Sequence, residues 1–209
     1  MDELKAIILN ASLKKSDEPS NTAALIEKVT DIFQEEKVGY EMVRLADYNL
    51  RYGISDDLGD GDEWPAIFQK IKEADIVIVG TPIWLGEKSS LAALAIERIY
   101  GGAGQTNDKG QSIYYNKVGG VVITGNEDGA KTAARSILYA LSHVGFVIPP
   151  NVDTYWLGEA GPGPSYMEAE GGVNEFTDKH ATMEAYNLIH LARILKNNPI
   201  PAKGNTADS

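Results

Sequence analysis

The chain has 209 residues, 43% of them apolar, enough to bury the core of one domain, and 30 acidic side chains stand against 19 basic ones, a net charge of −11. That balance argues against a general binder of nucleic-acid backbone, which needs a net basic face. Cysteine is absent, which excludes disulfides, thiolate catalysis and cysteine-held zinc or iron–sulfur centres. The start, Met1-Asp2-Glu3-Leu4-Lys5, lacks the basic and apolar run of a secretory leader. No stretch approaches the roughly 20 apolar residues of a membrane span, so a cytoplasmic protein with no membrane span is expected.

The first apolar run, 5–9 (KAIIL), reads as a strand, and a polar loop at 10–21 leads from it into a helix using Leu25, Val29 and Ile32. Residues 40–45 make a second strand. A long connection rich in Asp, Gly and Tyr then runs to Trp64-Pro65, where Pro65 opens a helix with Ile67, Ile71 and Ala74 on one face. Residues 75–80 (DIVIVG) are the clearest strand, apolar without alternation as a strand buried on both faces must be. A helix over 89–100, a polar excursion, a strand at 118–124 and a helix over 130–143 follow. Residues 145–149 read as a short final strand, and a helix over 178–196 closes the domain. The reading is one domain over 1–196, with excursions near 46–63, 101–116 and 158–176 and a frayed tail at 197–209. Five strands alternating with five helices imply a doubly wound α/β fold with a five-stranded parallel sheet and helices on both faces.

In such a sheet, ligands sit outside the carboxyl ends of the strands. Three loops leave those ends for helices, and each is rich in small, hydroxyl or glycine residues. The first carries Ser12 and then Ser20-Asn21-Thr22 at a helix start, where free N–H groups and the helix dipole favour an anion. The same residues also make an ordinary helix cap. The second reads Gly80-Thr81-Pro82-Ile83-Trp84-Leu85-Gly86, a sharp turn with a large flat ring that suits either an aromatic ligand or an interface anchor. The third, Thr124-Gly125-Asn126-Glu127-Asp128-Gly129, nearly spells a phosphate-binding P-loop with Lys131 and Thr132. Ala130 stands where that motif needs its second glycine, which argues against a nucleotide triphosphatase.

Taken together, these three loops, with Leu141-Ser142-His143-Val144-Gly145-Phe146, resemble the flavodoxin-like NAD(P)H-dependent FMN reductases and their multimeric quinone-reductase relatives. The resemblance spans residues 5–172 and implies a flavodoxin-like sheet. It implies FMN as cofactor, its phosphate on Ser12, Ser20, Asn21 and Thr22. The flavin ring would lie against Pro82, Ile83, Trp84, Leu85 and Gly86 and against Thr124, Gly125, Asn126 and Gly129. NAD(P)H would be the co-substrate, and a quinone, free flavin or similar small molecule the electron acceptor. His143 falls where relatives place a histidine near flavin and substrate, and it is equally a simple helix C-terminal cap. A homodimer or homotetramer is the expected assembly. Two departures stand out: Ala11 replaces the usual glycine before the serine, and the acidic pair Glu127-Asp128 sits where relatives often carry glycine.

Other patterns carry less. Residues 56–63 are acidic, but Leu58 and Ile67 break the calcium-loop pattern, so a solvated loop is expected. His180 and His190 are spaced too far apart for a paired metal site. Tyr114, Tyr115, Tyr155, Trp156 and Tyr166 either roof the pocket or form a subunit contact. The alternatives to an oxidoreductase are an electron-carrier flavodoxin with protein partners, and a flavodoxin-like domain without its cofactor.

Overall fold

Lys5–Asn10 (β1), Ile76–Trp84 (β3) and Val118–Gly125 (β5) are apolar, largely β-branched runs, and they lie side by side in the centre of the sheet. The computed structural model describes residues 3–161, 163–169 and 174–207. Gly39–Arg44 (β2) and Asp153–Leu157 (β6) flank the centre, giving the order β2-β1-β3-β5-β6 with every neighbour parallel. Because β2 lies on one side of β1 and β3 on the other, strand order reverses at β1/β3 and opens a crevice at the carboxyl ends there. A two-residue strand, Glu87–Lys88 (β4), folds back antiparallel on the end of β3.

Successive residues of the central strands point to opposite faces, so each strand feeds two cores. Ile7, Leu9, Val77, Val79, Val121 and Ile123 pack against Trp64–Glu73 (α2), Ser90–Gly101 (α3) and Ala130–Val144 (α4). Ile8, Ile76, Ile78 and Val122 pack against Asn21–Glu35 (α1) and Glu175–Asn197 (α5). This double burial is why these strands read as unbroken apolar runs. No helix among the described residues is long and apolar enough to cross a membrane.

Three expectations need correction. The final strand is not 145–149 but Asp153–Leu157. Gly145 caps α4 with φ +124°, Val147 makes only a single bridge to Val118, and the following Pro149-Pro150 cannot donate to a ladder. The strand that forms instead pairs Asp153 to Leu157 with Val121 to Gly125.

The tail is not frayed. Ile200 donates its N–H to Asn116 Oδ1 (2.7 Å), Ala207 donates to the Gly110 carbonyl (2.9 Å), and the buried Gln111 donates through Nε2 to the Ile200 carbonyl and Asn205 Oδ1 (3.3 Å each). Tail and excursion thus satisfy each other's polar groups. Gln111→Ala is expected to lower stability by about 1 kcal/mol by removing the donor from those half-buried acceptors, and to speed proteolytic trimming of the tail. Equal trimming rates for variant and wild type in a limited-proteolysis time course would count against that role.

The acidic loop is not simply solvated either. The Asp62 side chain is fully buried against the equally buried side chain of Arg98 of α3. Arg98 Nη2 donates to Asp62 Oδ2 at 2.6 Å and Nη1 to Oδ1 at 3.0 Å, while Nε and Nη1 also donate to the carbonyls of Ser55 and Arg51. Burial by itself would raise the Asp62 carboxyl. Arg98 and the N–H groups of Leu58, Trp64 and Arg51 more than offset that and hold it down to about 2. Gly101 allows the approach: a Cβ there would lie 2.4 Å from the Ser55 nitrogen.

Candidate functional site

The crevice at the carboxyl ends of β1, β3 and β5 holds a cavity of about 510 Å³, within the range of small-molecule and cofactor sites. Its parts come from the three loops singled out above and from the excursion after β6.

The β1 loop is shaped from its own strand end and from β2. Asn10, fully buried, accepts the Ser12 N–H on Oδ1 (2.9 Å), and Ser12 Oγ accepts from Lys14 N–H (3.4 Å). Arg44, the register partner of Asn10, donates through Nη1 to the carbonyls of Lys14 (3.1 Å) and Lys15 (3.0 Å). Asp47 takes the Ser16 N–H (2.9 Å). At the start of α1, Ser20 is spent as the N-cap, its Oγ accepting from Ala23 N–H. The N–H groups of Asn21 and Thr22 have no partner among the described residues, and α1 carries no acid in its first turn. Gly80 lets α1 come this close, since a Cβ there would meet Ile26 Cδ1 at 2.6 Å. Ser12, Leu13, Lys14, Asn21 and Thr22 of this loop and helix start therefore line the cavity, four of them residues that carry hydrogen-bond donors.

The walls come from β3 and β5. Pro82, Ile83 and half-exposed Trp84 line the cavity from β3, and Thr124, Gly125 and Asn126 continue the lining from the neighbouring strand β5 and its loop. Thr22 and Thr124 join the two parts through their hydroxyls (2.9 Å). Gly125 has no room for a side chain, because a Cβ would lie 2.9 Å from Ile83 Cβ. Ser89, the N-cap of α3, donates from Oγ to the Ala11 carbonyl (2.7 Å) and ties the first two loops together.

After Trp84 the chain reverses through Leu85 and Gly86, both at positive φ (+53° and +79°), between the paired residues Trp84 and Glu87. This is the two-residue hairpin geometry that normally takes Asn-Gly, and leucine in the left-handed region costs about 1–2 kcal/mol. Leu85 and Gly86 do not line the cavity; both of their N–H groups are taken by the Glu127 carboxylate. Gly129 also lies off the cavity, and a Cβ on it would collide with the Gly86 carbonyl at 2.4 Å.

Over the remaining side lies the excursion after β6. Asn126 Nδ2 donates to the carbonyls of Gly163 (2.8 Å) and Pro164 (2.9 Å), and Asn21 Oδ1 accepts from Met167 N–H (3.0 Å). These contacts bring Tyr166 edge-on to Trp156 (5.4 Å), and both rings line the cavity. Tyr114 instead is core, stacked on Phe146, and Tyr155 packs against Phe176. His143 does not line this cavity. It stacks on Tyr139 at the far end of α4, and 13 residues at 1.5 Å put it about 20 Å along the helix axis from Ala130.

Sequence reasoning gave no site role to Lys14 or Glu127 and did not single out Arg44. The first two stood in loops already singled out, while Arg44 needed the β1–β2 register. Among the described residues the ionisable lining is Lys14, Glu127 and Tyr166; both Glu127 oxygens are committed to backbone, and burial pushes the Tyr166 phenol up. Such a lining binds and orients a ligand rather than exchanging protons with it.

Residues 4–158 match the family model of the NADPH-dependent FMN reductases. The chain is 38% identical over 205 residues to the 8-demethyl-8-aminoriboflavin-5′-phosphate synthase of Streptomyces davaonensis, covering 94% of this chain and 80% of that protein. It is 42% identical over 201 residues to a Mycobacterium bovis protein named divalent metal cation transporter MntH, covering 93% of this chain. The chain spans only 29% of that longer protein's length. The crystal structure of RosB with bound 8-demethyl-8-formylriboflavin-5′-phosphate superposes with a TM-score of 0.87 at 38% identity, covering 94% of this chain and 82% of that one.

Proposed function

The chain belongs to the NADPH-dependent FMN reductase family, and on that premise we propose that this flavin-dependent oxidoreductase holds FMN in the cavity at the β1/β3 crevice and passes electrons from NAD(P)H to a small flat acceptor such as a quinone or free flavin. The observation that carries the reading is the polarity of the cavity. The β1 loop and the start of α1 supply Ser12, Lys14, Asn21 and Thr22 to its lining, while β3, β5 and the excursion after β6 supply Pro82, Ile83, Trp84, Gly125, Trp156 and Tyr166. That division fits a phosphate monoester joined to a planar ring system.

In this reading Ser12, Asn21 and Thr22, with Lys14, hold the phosphate at the positive end of α1. Ser20 serves by capping that helix. Pro82, Ile83, Trp84, Thr124, Gly125 and Asn126 orient the ring, while Leu85, Gly86 and Gly129 shape the turn that carries Trp84. Trp156 and Tyr166 exclude water from the remaining side. When bound, FMN supplies the capacity to accept a hydride and hand electrons on, so the protein's part is placement and exclusion of solvent.

A second reading is favoured by the 38% identity, over nearly the whole chain, to a synthase named for a riboflavin-phosphate product. There the flavin phosphate is itself the substrate and is altered on its ring. Two portions of desalted protein loaded with FMN separate the two: one is titrated anaerobically with NADPH and NADH, the other is held in air with ammonium and an amino acid as amine donors, and the flavin extracted from each is weighed. Bleaching with an unchanged flavin mass is expected; a changed mass supports the synthase reading, and failure to retain FMN sinks both. Trp84→Ala is expected to weaken FMN binding about tenfold, since one well-placed aromatic contact is worth roughly 1–1.5 kcal/mol.

A further inference from the structure

The turn after β3 breaks a local rule without compensation from packing. Its first position calls for a residue tolerant of positive φ, yet it is leucine at +53°, and the Leu85 side chain is 96% exposed. What opposes the strain is a single carboxylate from the β5 loop: Glu127 Oε1 accepts the Leu85 N–H and Oε2 the Gly86 N–H, each at 3.1 Å. Charge-assisted bonds to two successive amides fix the backbone at both left-handed residues at once. The rest of the hairpin follows this anchor. Gly86 rests against Gly129, where no side chain fits, and Lys88 of β4 donates to Ser136 of α4 (3.1 Å).

We propose that Glu127 is a positioning residue that latches the Leu85–Gly86 turn and thereby holds Trp84 on the wall of the cavity. The acidic residue that seemed out of place beside an anion-binding crevice has its charge consumed by backbone N–H groups and presents little of it to a ligand. The latch stands on the turn's own geometry, and its consequence for FMN rests on the flavin reading.

The test uses the full chain with Glu127→Ala, Glu127→Gln and the double variant Glu127→Ala/Leu85→Asn. Trp64 and Trp156 are buried, so acrylamide quenching of the protein without added FMN reports chiefly on Trp84. In Glu127→Ala, Trp84 quenching is expected to rise, its emission to shift red, and the FMN dissociation constant to increase about tenfold, the loss of one aromatic contact. Glu127→Gln falls between, because its amide NH₂ faces one of the two N–H donors, and it provides a near-isosteric variant should the alanine variant fail to fold. Asparagine accepts the left-handed conformation unaided, so adding Leu85→Asn to Glu127→Ala restores the quenching to that of the wild type. Wild-type quenching in both single variants, or no restoration in the double variant, overturns the latch. If wild-type protein binds no FMN, the flavin reading fails while the quenching and its rescue still decide the latch.

Discussion

The wild type is expected to lose stability between pH 4.5 and pH 8, and Glu184→Gln is expected to abolish most of that loss. Glu184 lies on α5 beneath the sheet and is fully buried. Its Oε2 accepts the Thr154 N–H of β6 (2.9 Å), and its Oε1 has no hydrogen-bond partner among the described residues. Gly120 of β5 makes the space, since a Cβ there would sit 2.6 Å from Oε1. Burial pushes the carboxyl up to about 8 from an ordinary 4.5, against the pull of hydrogen bonding from Thr154 and with Asp153 adding to the rise. The folded state therefore keeps a proton that the unfolded chain has released. Stability from this group is complete below pH 4.5 and is lost as pH rises through about 8. At 1.36 kcal/mol per pH unit the gap amounts to about 5 kcal/mol. Glutamine keeps an acceptor for Thr154 and cannot ionise, so its urea midpoint should stay nearly level while that of the wild type drops between pH 5 and pH 8. Parallel profiles for the two proteins would show that Glu184 already ionises in the fold at little cost.

Removing the guanidinium from the opposite core should be as costly at neutral pH. Arg98→Met leaves the Asp62 carboxylate buried without its partner and strips a donor from the Ser55 and Arg51 carbonyls, a loss of about 3–5 kcal/mol. For a chain of this size that lowers the melting temperature by roughly 10 °C. The pair's acid dependence runs opposite to that of Glu184. Because the Asp62 carboxyl is held down to about 2 from 3.8, its contribution is present above pH 3.8 and lost as pH falls through about 2. In Arg98→Met that acid-side loss should disappear. Adding Asp62→Asn to Arg98→Met should recover part of the stability by neutralising the stranded charge, and additive losses in the double variant would rule out the coupling.

Both groups illustrate what a linear reading misses. Glu184 stands on the apolar stripe of α5, between Ala181 at i−3 and Leu188 at i+4, but a carboxylate is so rarely buried unpaired that the helix pattern alone does not place it in the core. Asp62 lies in a loop with four other acids, where solvation is the sound expectation until Arg98 arrives from 36 residues away. The last strand was misplaced because 145–149 and 153–157 are both short and partly apolar. Register against β5, and the glycine that caps α4, decided between them.

The site divides along the same line. Ser12, Asn21, Thr22, Pro82–Trp84 and Thr124–Asn126 were legible because βα loops at a sheet's carboxyl end meet whatever their composition. Arg44, Glu127 and the Asn126 bonds to residues 163 and 164 were not, because each is a contact between loops whose separation along the chain says nothing of their distance. The amino-acid sequence by itself determined the order of strands and helices, the doubly wound sheet and the three loops at its crevice, since local periodicity and double burial leave their mark residue by residue. Only the tertiary structure decided which acids are buried, which turn is strained and what holds it, because burial and loop-to-loop contact depend on where distant segments come to rest.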